Sequence, residues 1–256
     1  MFKSYNPLIV LLLCAILAGC AGKGSAKKEQ IAEADTATVP DTGFTGIKKY
    51  YSNKLLIKEV TFKNGVRQGE MRSFYQGGQL RQTFWYENGL REDSSKWYYL
   101  EGQVFRSTPY RHDTIHGTQK QYYRNGRLKA KLNYFKGLRT PELEEFTNDG
   151  KMVSGYPDIM HTFTDNYSTT GKVRLNLSLS DNSTRVKFYR GDFTDGVFDS
   201  TKCSMIKAVN GKAFVDLRKM QGPQLNKINI IAVVLTDFGN NYFAHKQIDL
   251  PYKDLK

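Results

Sequence analysis

One feature constrains this chain above all others: residues from Tyr50 to about Met152 repeat at a fixed offset of 24, with no insertion or deletion. The first position of successive units is Tyr50, Phe74, Tyr98, Tyr122 and Phe146, and the second is Tyr51, Tyr75, Tyr99, Tyr123 and Thr147. Glycine recurs at the fifth position as Gly78, Gly102, Gly126 and Gly150, and an apolar residue at the seventh as Leu56, Leu80, Val104, Leu128 and Met152. The thirteenth is aromatic in every complete unit: Phe62, Tyr86, Tyr110 and Tyr134. A unit this short cannot bury a core alone, so the repeat implies a quasi-one-dimensional array that offers a surface to a partner.

Each unit alternates with period two between turn signals, which is the pattern of strands. Gln68 to Gln76 reads as one strand, Gly77-Gly78 as a tight turn and Gln79 to Tyr86 as the return strand. Asn64-Gly65, Asn88-Gly89 and Asn125-Gly126 are suited to the positive φ of two-residue hairpin turns. The expected fold class is therefore all-β: an extended antiparallel meander of 24-residue β-hairpin repeats over residues 47–155. Tyr122-Tyr123-Arg124-Asn125-Gly126-Arg127-Leu128 and Phe62-Lys63-Asn64-Gly65-Val66-Arg67-Gln68-Gly69 resemble the MORN-type repeats, in the variant found in bacterial proteins of the YwqK-like antitoxin type. The resemblance implies the hairpin fold and raises neutralisation of a toxin by contact as one function. The third unit departs most, with His112-Asp113 in place of Asn-Gly and Pro109 at a strand position, which leaves a regular turn there open.

Adjacent residues of a strand point to opposite faces, so each face should carry one aromatic row. The first-position row mixes Phe with Tyr and is expected on the packed face. The second-position row, Tyr51, Tyr75, Tyr99 and Tyr123, keeps its hydroxyl and is the candidate binding surface, suited to a protein or glycan partner. Cross-strand support within the sheet is the simpler account of the same row.

The compartment is read from the N-terminus. Lys3 precedes the apolar run Leu8 to Leu17, too short for a stable membrane span and typical of a secretory signal. It ends in Leu17-Ala18-Gly19-Cys20, which resembles the lipobox of bacterial lipoproteins, so residues 1–19 are expected to be a signal peptide and Cys20 the lipidated residue. Ala21 after the cysteine favours the outer membrane in such proteins, facing the periplasm. Residues 20–46 then read as a lipidated flexible tether. Net charge is +13, and residues 48–155 carry 20 basic against 11 acidic side chains. Export argues against nucleic acid and points this charge toward lipid head groups, acidic polysaccharide or acidic protein, or toward solubilising exposed strands.

Residues 156–256 lose the repeat. Val173 to Leu179, Arg185 to Tyr189, Cys203 to Val209, Ala213 to Leu217, Asn229 to Leu235 and Tyr242 to Leu250 read as strands of an immunoglobulin-like β-sandwich, with Asn229 to Leu235 central. His112 and His116 lack the helical setting of a zinc pair, and Asp192, Asp195 and Asp199 lack calcium-loop spacing. Asp237-Phe238-Gly239 reads as a hairpin turn, and Cys203 as a small hydrophobe in a strand beside Met205. No catalytic constellation, metal site or cofactor motif emerges. The sequence therefore leads to a non-catalytic envelope lipoprotein that binds or scaffolds another macromolecule, with an immunity protein or a glycan-binding module as alternatives.

Overall fold

The computed structural model describes residues 43–222 and 226–256; the signal, Cys20 and nearly all of the tether lie outside the described residues. Ten strands form the first sheet: β1 (Gly46–Ser52), β2 (Leu55–Lys63), β3 (Val66–Phe74), β4 (Leu80–Glu87), β5 (Leu90–Tyr98), β6 (Val104–Arg111), β7 (Thr114–Ile115), β8 (Gly117–Tyr122), β9 (Leu128–Phe135) and β10 (Leu138–Glu145). They pair antiparallel in chain order, with the short β7 beside β6. This is the hairpin meander that the 24-residue period implies.

Two turn types alternate along the meander, and each has a chemical reason. Between β2 and β3, β4 and β5, β6 and β7, and β9 and β10, two residues with positive φ close the hairpin: Asn64-Gly65, Asn88-Gly89, His112-Asp113 and Lys136-Gly137. The third unit therefore turns as regularly as its neighbours, resolving the question raised by its sequence. Asp113 compensates for the absent glycine by accepting from the Arg91 backbone N–H at 2.9 Å and from Arg91 Nε at 2.8 Å. The loops after β3, β5 and β8 span three residues and end in a glycine of positive φ, as where the Tyr123 N–H donates to the Arg127 carbonyl around Gly126. Asn125-Gly126 is thus no two-residue turn, and only its glycine needs the left-handed region. One residue per unit, Ile57, Arg81, Phe105 and Lys129, is left without a partner opposite the strand before it. Such bulges increase local twist, and their recurrence gives the array a repeating twist as well as a repeating sequence.

The second region has two four-stranded sheets. One runs β11 (Ile159–Asn166), β12 (Lys172–Leu179), β16 (Lys212–Arg218), β15 (Ala208–Val209). The other runs β14 (Ser204–Ile206), β13 (Val186–Arg190), β17 (Lys227–Leu235), β18 (Asn241–Asp249). Lettered in chain order these are A-B-E-D and C′-C-F-G, the strand order of an immunoglobulin-like sandwich. A four-residue helix, α1 (Tyr167–Thr170), links β11 to β12. Two details differ from expectation: β11 is an additional strand, and Cys203 to Val209 breaks at Lys207 into β14 and β15, which belong to opposite sheets. The core between the sheets joins Leu175 and Leu217 of one to Phe188 and Ile230 of the other, all fully buried. The central β17 has Ile230, Ile231 and Ala232 buried in succession, so both of its faces are covered.

Candidate functional site

Residues that face each other across neighbouring strands share a side of the sheet, so the pairings define what each face presents. One unbroken row crosses from β1 to β10 as Tyr50, Lys58, Ser73, Gln82, Trp97, Arg106, Gln121, Ala130 and Glu145. Beside it on the same face lie Val60, Phe84, Thr108 and Leu132, all buried. This face fills itself with its own long side chains. Arg67 lies over Tyr86 at 4.6 Å and Arg91 over Tyr110 at 4.5 Å, so guanidinium groups cover rings of the next unit. Burial opposes the charge of Arg91, but the Asp113 hydrogen bond and the neighbouring charges outweigh it and raise its pKa.

The sandwich closes the far end of this filled face. Glu145, with no exposed surface, accepts from Thr236 Oγ1 at 2.8 Å, Asn240 Nδ2 at 2.7 Å and Tyr156 Oη at 2.9 Å. Burial and this bond to Glu145 hold the Tyr156 phenol well above its ordinary pKa. Asn240 Oδ1 accepts from Gln121 Nε2 at 2.8 Å, and the Phe198 N–H donates to the Arg139 carbonyl at 2.8 Å. The Asp237-Phe238-Gly239 turn thus forms part of the loop that receives the repeat sheet.

The opposite, open face carries the second unbroken row: Lys49, Glu59, Arg72, Thr83, Lys96, Ser107, Lys120, Lys131 and Glu144. Cations stand on every second strand at Lys49, Arg72, Lys96 and Lys120, and all four are exposed. Two residues further along each of those strands stands an aromatic ring: Tyr51, Phe74, Tyr98 and Tyr122. Leu56, Leu80, Val104 and Leu128 face these rings from the next strands, so an apolar band runs beside the cationic stripe. Trp85, 43% exposed, flanks the stripe on its other side. Lys49 pairs with Glu59 at 3.4 Å and Arg72 with Glu70 at 2.5 Å. Lys96 and Lys120 have no ion pair or hydrogen bond among the described residues.

This arrangement reverses the expected faces and divides the expected row. Tyr75, Tyr99 and Tyr123 belong to the filled side and are half-buried. Their hydroxyls donate to the carbonyls of Tyr98 at 2.7 Å, Tyr122 at 3.0 Å and Phe146 at 2.7 Å, each one unit onward. The retained hydroxyl ties unit to unit, which is why phenylalanine does not replace it. Tyr51 is different: 60% exposed, it sits on the open face with the first-position rings. The cause is Asn53-Lys54, a two-residue turn of positive φ where later units use three residues, and the missing residue shifts the register of β1 by one. A shift of that kind turns a strand over, so Tyr50 and Tyr51 exchange faces.

The remaining motifs are occupied locally. His112 Nδ1 lies 3.4 Å from Glu92, and His116 packs on Phe135. Asp192 accepts from Asn229 Nδ2 at 2.8 Å, and Asp199 caps the 3-10 turn Ser200–Lys202 through the Thr201 N–H. Burial, with help from Asp199 and Asp192, raises the pKa of the half-buried Cys203 thiol, the opposite of an activated nucleophile. Among the described residues no group of three or more metal-ligating side chains gathers, and no helix is long and apolar enough to cross a membrane.

Fold and surface together define a hairpin-repeat array joined to a β-sandwich. A family model described as the MORN repeat variant matches residues 115–136, so the array contains a MORN-type repeat there. No curated protein matches the chain.

Proposed function

We propose that this protein is a non-catalytic envelope lipoprotein that binds another macromolecule through the open face of its repeat sheet. Cys20 is its lipid anchor, and the outer membrane, facing the periplasm, is its site. The reading rests on one observation: the same pair, a cation and an aromatic two residues apart, recurs on every second strand of the open face. The filled face, by contrast, spends its rings and guanidinium groups on the protein itself. Aromatic side chains and arginine concentrate at the energetic centres of interfaces, which fits the exposed Trp85 and Arg72, while the lysines suit steering of an anionic partner. A toxin neutralised by contact is one partner class, brought in by the likeness of the repeats to those of YwqK-like antitoxins.

Two measurements test this reading. Labelling with radioactive palmitate should mark the wild type and leave Cys20→Ala unlabelled; equal labelling would refute the anchor. Wild-type bait should retain from detergent-solubilised envelopes a macromolecule that bait carrying Lys96→Glu and Lys120→Glu does not. Equal retention by both baits would remove the open face from the function.

A further inference from the structure

The stripe on the open face has a length scale of its own. Cations on every second strand stand roughly 9.6 Å apart, and Lys49 to Lys120 spans roughly 29 Å. A ligand that uses all of them runs across the strands, along the direction in which units are added. Strand addition, which follows a sheet edge, is therefore not its mode of binding.

We infer that the open face takes an extended acidic polypeptide in the polyproline II conformation, with a carboxylate at every third residue. This rests on the binding reading above and names its partner class. A polyproline II helix has three residues per turn and rises about 3.1 Å per residue, so every third side chain returns to one side after about 9.3 Å. The mismatch with the stripe is roughly 0.3 Å per repeat and about 1 Å over its length, within the reach of a lysine side chain. The neighbouring band fits the same ligand, because proline rings dock on aromatic surfaces and need no hydrogen bond from them. Phe74 in that band has no hydroxyl to give, which suits a pyrrolidine better than a sugar. A polyproline II backbone makes no internal hydrogen bonds, leaving its carbonyls for the hydroxyl of Ser107 between the cations. In the two ion pairs at the start of the stripe the cations Lys49 and Arg72 are exposed and their partners Glu59 and Glu70 half-buried, so each cation keeps an open side for an incoming carboxylate.

The full chain in detergent is titrated calorimetrically with a synthetic peptide of four Glu-Pro-Pro triplets, which extends roughly 37 Å. The peptide should bind, with affinity falling as salt rises. Lys96→Glu with Lys120→Glu should weaken it at least about tenfold. Tyr75→Phe, on the other face, should leave it unchanged, with far-ultraviolet circular dichroism and thermal midpoints confirming that the variants fold. A peptide of six Glu-Pro pairs, proline-rich and acidic but out of phase with the stripe, should bind more weakly. Equal binding of the two peptides, or an undiminished affinity in the double variant, would overturn the inference. So would binding of polygalacturonate in place of the triplet peptide, which would make the occupant a glycan. If envelope capture depends on Lys96 and Lys120 while the triplet peptide fails to bind, the open face remains the binding surface and the polypeptide assignment alone is lost.

Discussion

The sandwich and the repeat sheet are both antiparallel β-structure, yet they are stabilised by different means. Between the sandwich sheets, Leu175, Phe188, Leu217 and Ile230 meet with no solvent exposure, drawing on strands far apart in sequence. The repeat sheet buries Gln82, Ser95, Thr108 and Gln119 where a sandwich would place leucine. Its cohesion comes from contacts within a unit, such as Gln119 Nε2 donating to Thr108 Oγ1 at 3.0 Å, and between adjacent units, where arginine lies over tyrosine and a tyrosine hydroxyl bonds the next unit's carbonyl. Burying apolar area dominates the first and neighbour coupling the second, as expected where each unit touches only its neighbours. The array can therefore leave one whole face open, whereas the sandwich needs the inner faces of both its sheets.

The largest test of this contrast is Phe188→Ala, which should destabilise the sandwich by about 3–5 kcal/mol through the cavity it leaves. Urea unfolding should show the loss in the sandwich transition while the repeat transition keeps its midpoint. Second is Glu145→Ala, which strands the donors of Tyr156, Thr236 and Asn240 and should cost about 2–3 kcal/mol. Its signature is a loss of coupling: two unfolding transitions should separate where the wild type shows closer coincidence. Third, Tyr99→Phe removes one unit-to-unit hydrogen bond and should cost about 1 kcal/mol. Tyr51→Phe, outside that ladder, should stay within about 0.5 kcal/mol in the same assay. Equal effects at the two tyrosines would contradict the division of the row.

The smallest effect concerns pH. Burial opposes ionisation of Asp113, but hydrogen bonds from the Arg91 backbone and side chain, together with the arginine charge, prevail and lower its pKa. A carboxylate with a depressed folded pKa contributes stability above its unfolded value of about 3.9, and this is lost as pH falls through the folded value. Wild type should thus be slightly more stable than Asp113→Asn at neutral pH. Denaturation midpoints measured at decreasing pH should converge, and a constant gap would rule out this ionic contribution.

Much of this architecture was legible because the repeat is local. The 24-residue offset announces hairpins, and the apolar run from Asn229 to Leu235 announces a buried central strand. The face assignment failed for a physical reason: a hydroxyl that recurs in Tyr75, Tyr99 and Tyr123 suggests water as its partner, yet a carbonyl one unit away satisfies it equally well. Glu145 was hidden for another reason. Its partners Thr236 and Asn240 lie 91 and 95 residues away, and no periodicity links them. The row of cations was obscured by numbering, since Lys49 stands one residue out of step with Arg72, Lys96 and Lys120 until the register of β1 is known.

That displaced register means loop length, and not side-chain identity alone, decides which of two like sets of side chains the first strand shows on the open face. Inserting one residue beside Asn53-Lys54 would restore the numbering of the first unit and rotate β1 inside out, withdrawing Lys49 and Tyr51 but presenting Lys48 and Tyr50 in their place, so the track would keep its four cations. Every strand downstream would keep its place. The array thus behaves like text set in columns, where a single added space at the margin displaces one line and leaves the rest aligned, and the doubled Lys48-Lys49 and Tyr50-Tyr51 make that line read the same from either side.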